Sequence, residues 1–290
     1  MKKTIKELLN DTSKASTVVG ASNALISEMV ERAGFDGIWV SSFELHAWNL
    51  LPDANILNTT DYFDTISKIS DRINLPILVD SDEGGPSAIN TIRMTREYEK
   101  AGASAMCFED NPSPKRCSFY GMKAQLEKPE IMVGKIRAAV EKRLDDNFSV
   151  IARTEALIQK HGIDVAMERA HMYTEAGCDG FLIHSKSKEP DEIFEFAERY
   201  HNEGIKTPLV CVPTTYNQVT LNQLEDAGFS LVIYANYSVR ATVMALQKVF
   251  EDIKNGNSLS AANEDVVPMD TIFDLIRVDK LKKAQTKYGS

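Results

Sequence analysis

With 290 residues, 43% of them hydrophobic, the chain is long enough for one large α/β domain with a sizeable core. Its formal net charge of -9 at pH 7 leaves no basic stripe of the kind that a nucleic acid or an anionic membrane surface rewards. Four cysteines, Cys107, Cys117, Cys178 and Cys211, lie far apart without CxxC or Cys/His clustering, which argues against a disulfide framework and a zinc site.

The first residues, MKKTIKELLNDTSK, carry neither the apolar run nor the small-residue cleavage site of a signal peptide. Nowhere do about 18 apolar residues run together, so a cytoplasmic protein is expected. Short apolar runs then follow at VVG (18–20), IWVS (38–41), ILVD (77–80), AMCFED (105–110), VIAR (150–153), FLIH (181–184), LVCVP (209–213) and LVIYA (231–235). They lack polar alternation and read as strands covered on both faces. Between them SNALISEMVERAG, TDYFDTISKISDRI, KPEIMVGKIRAAVEKRL, DVAMERAHMYTEAG and DEIFEFAERYHNEG place apolar residues three and four apart, the helical period. The junctions repeat: ERAGFDGIWVS, EKAGASAMCFED, TEAGCDGFLIHS and EDAGFSLVIYAN each join a helix end, a glycine turn and a strand.

Eight alternating strand and helix units predict a parallel (β/α)8 barrel of the TIM type over residues 1–255. A doubly wound open sheet is the rival fold, but no GxGxxG follows the first strand. Residues 256–290 break the repeat with a polar linker and an amphipathic helix, VPMDTIFDLIRVDKLKKA. The apolar face of this C-terminal extension would cap the barrel or reach another subunit.

A parallel barrel gathers its site at the C-terminal mouth. The polar residues ending the strands are Ser41 and Ser42, Asp80 and Asp82, Glu109 and Asp110, Arg153 and Glu155, His184 and Ser185, and Asn236. Asp80, Asp82 and Glu109 come from adjacent strands and would converge as a hard oxygen site suited to Mg²⁺, which keeps several of its waters. DSDEGG also reads as a plain acidic turn whose glycines supply positive φ. A buried guanidinium at Arg153 calls for an anion, either Glu155 or a substrate. His184 is either a satisfied core histidine or, with Arg153 and Ser185, part of a donor-rich pocket for a phosphoryl or carboxylate group. A cation site facing such a pocket suits a small, doubly anionic substrate.

IWVSS, LVDSDEGG, FEDNPSPKRCS, VIARTEAL, LIHSKSKEPDEI, VPTTY and YANYSVRA, in this order, resemble the phosphoenolpyruvate mutase/isocitrate lyase superfamily over almost the whole chain. The resemblance implies a Mg²⁺ site, with Mn²⁺ as a possible substitute, in which Asp80 is the main carboxylate and Asp82 and Glu109 act largely through bound waters. Trp39, Ser41 and Ser42 would close on a pyruvyl group, and Arg153, His184 and Ser185 would grip a phosphonyl end. Asp53 matches the family's mobile catalytic aspartate, and EDNPSPKRCSFYG its gating loop, with Lys115 at the loop lysine. The implied activity is phosphoenolpyruvate mutation to phosphonopyruvate.

Three positions depart from the pattern. Ser42 replaces a glycine, Glu83 to Pro86 replace a threonine-glycine-tyrosine-glycine run, and Cys117 stands where mutases carry asparagine and hydrolases threonine. In the superfamily's carbon-carbon lyases that position holds an acid-base cysteine, so a lyase acting on a 2-hydroxy or oxo dicarboxylate through Cys117 is the alternative. Phosphonopyruvate hydrolysis and a barrel kept only for binding or assembly also stay open. The family's habit of exchanging a C-terminal helix implies a homo-oligomer, a tetramer, and the acidic charge balance argues against a nucleic-acid or membrane partner.

Overall fold

The computed structural model describes residues 2–115 and 125–289. Eight strands, β1 (Ser16–Gly20), β2 (Gly37–Val40), β3 (Ile77–Asp80), β4 (Ala105–Glu109), β5 (Ser149–Thr154), β6 (Gly180–Ile183), β7 (Leu209–Cys211) and β8 (Phe229–Tyr234), close into a barrel in chain order. Every neighbouring pair is parallel, including β1 with β8. The expected (β/α)8 barrel is therefore the fold.

The helices that precede or separate these strands are α1 (Ile5–Leu9), α2 (Ala24–Arg32), α3 (Ser42–Trp48), α4 (Thr59–Ser70), α5 (Ala88–Ala101), α6 (Pro129–Lys142), α7 (Ile163–Glu175), α8 (Asp191–Asn202) and α9 (Leu221–Asp226). The glycines of the four repeated junctions, Gly34, Gly102, Gly177 and Gly228, all take positive φ between 85° and 98°. Only a residue without Cβ reverses the chain there at little cost, so the repeat visible in the sequence is a repeat of helix stops.

Two apolar layers follow from strand alternation. Ile38, Val40, Ile77, Val79, Met106, Phe108, Val150, Ala152, Phe181 and Ile183 face the helices and join the outer core. Val18, Trp39, Leu78, Ala105, Cys107, Ile151, Leu182, Val210, Leu231 and Ile233 fill the barrel interior. Cys107, Cys178 and Cys211 are free, buried thiols, as the scattered cysteines suggested.

The N-terminal residues, taken above only as lacking a signal peptide, have a structural role. Thr4 and Glu7 form a reciprocal capping box that starts α1. Ile5, Leu8 and Leu9 of that helix are fully buried and belong to the interior cluster. Three polar ties join α1 to segments that lead into strands: Ile5 N donates to Ser104 Oγ (2.9 Å), Lys6 Nζ to Asp146 O (2.7 Å), and Ser16 Oγ donates to Leu8 O (3.3 Å). The helix thus plugs the mouth opposite the strand C-termini. Each such side chain contributes roughly 1.5–3 kcal/mol by leaving water.

The chain divides into two compact units, Met1–Asn236 and Tyr237–Ser290. Residues 237–255, counted with the barrel by the sequence pattern, group with the second unit. That unit holds α10 (Tyr237–Gly256), a 3-10 segment (Leu259–Asp265), α11 (Met269–Leu275) and α12 (Val278–Tyr288). The single amphipathic helix expected over VPMDTIFDLIRVDKLKKA is in fact two, because Arg277 adopts a left-handed φ of 59° and interrupts it. Among the described residues no helix is long and apolar enough to cross a membrane.

Candidate active site at the strand C-termini

The inner-facing rows of the strands continue upward by two residues into polar side chains. Leu78 leads to Asp80, Cys107 to Glu109, Ile151 to Arg153, and Leu182 to His184. Period-two alternation therefore aims these four groups into the same mouth. Glu109 and Arg153 are direct register partners across β4 and β5. Trp39 is buried within the interior cluster, two residues below Ser41.

A carboxylate wall and a donor wall divide the mouth. On the first, Lys115 Nζ lies 2.6 Å from Asp82 Oδ1 and 2.9 Å from Asp53 Oδ2, with all three residues buried. Burial opposes the Lys115 charge, but Asp82, Glu109, Asp53 and Asp80 together hold its pKa well above the ordinary value. Asp53 also accepts the Ser42 hydroxyl (3.0 Å). Burial would raise the Asp53 pKa; the Lys115 charge and hydrogen bond outweigh it and bring it below 3.8. Asp82 sits at a left-handed φ of 52° in the turn after β3 and accepts the Tyr62 hydroxyl (3.2 Å).

On the second wall, Arg153 Nε donates to Glu155 Oε1 (2.7 Å), while Nη2 lies 3.1 Å from Glu109 Oε2 and 2.7 Å from His184 Nδ1. The ion pair with Glu155 weighed from the sequence is present. It coexists with the histidine contact. Burial first, and the guanidinium second, lower the His184 pKa, so the ring is neutral. Nδ1 lies within hydrogen-bond distance of both the Arg153 guanidinium, which can only donate, and Glu155 Oε1 (3.0 Å), which accepts, so Arg153, Glu155 and His184 form one buried cluster around that nitrogen.

Asp80 differs from its neighbours. Lys115 and Arg153 take up Asp53, Asp82, Glu109 and Glu155, whereas Asp80 accepts the Ser42 backbone N–H (3.3 Å). Burial raises Asp80 to about 6 and Glu109 to about 8, with Lys115 and Arg153 respectively offsetting part of the rise. Five carboxylates thus face two basic side chains. Among the described residues no three acidic, histidine or cysteine side chains are gathered closely enough to enclose an ion by themselves. The donor set therefore fits a hard cation held through Asp80, with waters or ligand oxygens completing its shell, better than an all-protein cage.

Ser41 and Ser185 serve the scaffold. Ser41 Oγ caps α3 by accepting Glu44 N–H (3.4 Å). The Ser185 hydroxyl donates to Glu192 and accepts Ser187 N–H (2.9 Å), so the described contacts do not join it to Arg153 or His184. Glu83, at one departing position, is buried and accepts both Asn55 amide contacts (2.7 and 2.8 Å), and Gly84 and Gly85 take positive φ. Cys117, with residues 116–121 of the gating segment, lies outside the described residues.

Asp110, named above only as a strand-end residue, and His46, not singled out at all, carry more than the sequence reading gave them. Asp110 accepts Thr154 Oγ1, Glu155 N–H, Arg169 Nη1 and Tyr173 OH at 2.7–3.0 Å and ties β4 to β5 and α7. His46 is completely buried beside Asp53. Nothing in the local pattern marks His46 except its spacing of four from Ser42 on one helix.

The model of the phosphoenolpyruvate phosphomutase family matches residues 5–254. The chain belongs to that family. Phosphonopyruvate hydrolase of Variovorax sp. is 37% identical over 96% of the chain and 96% of its own length. The crystal structure of phosphoenolpyruvate phosphomutase from Streptomyces platensis subsp. rosaceus superposes with a TM-score of 0.95 at 35% identity, covering 99% of this chain and 98% of that one. A phosphonopyruvate hydrolase solved with oxalate and Mg²⁺ gives 0.92 at 35% identity, with the same coverage. The relatives also include the 2,3-dimethylmalate lyase of Eubacterium barkeri, 31% identical over 99% of the chain and 97% of that protein. The family member is thus an enzyme of the phosphoenolpyruvate mutase/isocitrate lyase superfamily, whose relatives span mutase, hydrolase and lyase.

Proposed function

We propose that this family member interconverts phosphoenolpyruvate and phosphonopyruvate, the step that forms a carbon-phosphorus bond in phosphonate biosynthesis, with Mg²⁺, replaceable by Mn²⁺, at Asp80. The guanidinium edge of Arg153 beside His184 carries the proposal. The described contacts of Arg153 use Nε and Nη2, which leaves Nη1 to donate to a ligand beside the buried His184 imidazole. A guanidinium of fixed charge at the edge of this cluster suits an anionic phosphonyl group.

Mg²⁺, when bound, supplies positive charge for the pyruvyl oxygens, as the oxalate and Mg²⁺ complex of the related hydrolase suggests. Asp82 and Glu109 act at one remove, because each already answers a basic side chain. Phosphoryl transfer demands little covalent chemistry from a protein and much positioning. Arg153 and His184 hold the migrating group and offset its charge. Asp53 and Lys115, paired and buried, keep water from that side of the site.

Hydrolysis of phosphonopyruvate is the second reading, favoured by the 37% identity to a hydrolase. Phosphorus NMR of the protein with Mg²⁺ and phosphonopyruvate separates the two. Phosphoenolpyruvate is the expected product; free phosphate would assign the hydrolase, and an unchanged spectrum would refute both and favour a lyase using Cys117. We further propose a homotetramer. Exposed Val243, Met244, Phe250, Val267, Met269 and Phe273 in the second unit support it, and light scattering checks it.

A further inference from the structure

The segment carrying Asp53 is not rigid by local preference. Leu50 and Asn55, on either side of Asp53, both take a left-handed φ of 54°, a conformation that asparagine tolerates and leucine does not. Contacts from outside hold it: Lys115 and Glu83 take the side chains of Asp53 and Asn55, and His46 takes the backbone at both ends.

The backbone carbonyl of His46 accepts both Asn49 N–H (3.0 Å) and Leu51 N–H (2.9 Å), which fixes the exit from α3. Its imidazole does more. Nε2 lies 3.3 Å from the backbone nitrogen of Leu57, and a peptide N–H can only donate, so Nε2 is the acceptor and the ring proton sits on Nδ1. Nδ1 then donates to Ser42 O at 2.8 Å. The ring therefore ties the first turn of α3 to residue 57 and closes the segment 49–57 into a loop. The same Nδ1 is 3.7 Å from Asp53 Oδ1, and Ser42 Oγ donates to that oxygen at 3.0 Å. Ser42 and His46 stand one helical turn apart, so both reach Asp53 from one face of α3.

We infer that His46 is a positioning residue for Asp53: its neutral ring clamps the loop at both ends, and Ser42 orients the carboxylate within it. The inference rests on the role proposed above for Asp53 only as regards turnover. The clamp itself is a statement about the loop.

The test compares wild type, His46→Asn, His46→Gln, Asp53→Asn and the His46→Asn/Asp53→Asn double variant. Asparagine keeps a donor for Ser42 O and loses the acceptor for Leu57, whereas glutamine can reach Leu57. Amide exchange read by mass spectrometry should quicken about tenfold or more across residues 49–57 in His46→Asn, with β3 to β6 unchanged, and be partly restored in His46→Gln (~1.4 kcal/mol per tenfold). Turnover of phosphonopyruvate should fall at least tenfold in His46→Asn with little change in KM, and His46→Asn should cost little more once Asp53 is already asparagine. Unchanged exchange in 49–57 overturns the clamp, and so do losses that multiply in the double variant. If wild type turns over no phosphonopyruvate or phosphoenolpyruvate, the proposed function fails, and the exchange result alone decides the clamp.

Discussion

Replacing Lys115 by methionine probes the charge balance of the mouth directly. The ammonium is buried between two buried carboxylates, 2.6 Å from Asp82 and 2.9 Å from Asp53. Removing one partner of a buried ion pair costs about 3–5 kcal/mol, and here a single substitution strands two acids. A loss of about 4 kcal/mol at pH 7.5 with chelator present is expected, which moves the urea midpoint by about 1 M or more at a slope near 3 kcal/mol/M. The pH dependence has a definite sign. In wild type the depressed Asp53 pKa contributes stability that is present above the unfolded value and lost as pH falls through the folded one. Without Lys115, the raising effect of burial prevails, so Asp53 becomes destabilising above its raised pKa and is relieved by protonation. The gap between variant and wild type should therefore narrow between pH 7.5 and 4.5. A loss under about 1 kcal/mol, or one that widens on acidification, would refute the assignment of Lys115 as the ion that holds this wall.

Trimming the plug tests the other end of the barrel: Leu9→Ala should cost about 2–5 kcal/mol by urea denaturation, because Leu9 is buried against Gly180 at the start of β6. Gly102→Ala should cost more than Gly34→Ala, by about 1 kcal/mol or more. Both glycines have positive φ, but only at 102 would a Cβ meet Ser70 Oγ, at 2.1 Å. Saturating Mg²⁺ should raise the melting temperature, by about 2.7 kcal/mol of stabilisation at a hundredfold excess over Kd, and Asp80→Ala should abolish the shift in differential scanning fluorimetry. An equal shift in Asp80→Ala would move the cation away from β3.

The barrel was legible because its periodicities are local. Four junctions ending in Ala-Gly and eight apolar runs state where helices stop and strands begin, and alternation alone carries Asp80, Glu109, Arg153 and His184 to one rim. What was not legible depends on distances between segments far apart in sequence. Lys115 reaches Asp53 across 62 positions, and Ser185, adjacent to His184 in the chain, turns instead to Glu192. The left-handed Arg277 that splits the tail helix has no signature of its own, since arginine is an ordinary helix former. Ser42, read only as a departure from a glycine, becomes intelligible once its hydroxyl is seen on Asp53.

The plug formed by Ile5, Leu8 and Leu9 imposes an order on synthesis. These side chains leave the ribosome before any of the eight strands, yet the floor they fill is complete only when β8 has paired with β1, more than 200 residues later. During translation this apolar patch has no finished seat, and the chain must carry it until the last strand arrives. Closure of the ring and seating of its earliest residues are then one cooperative event.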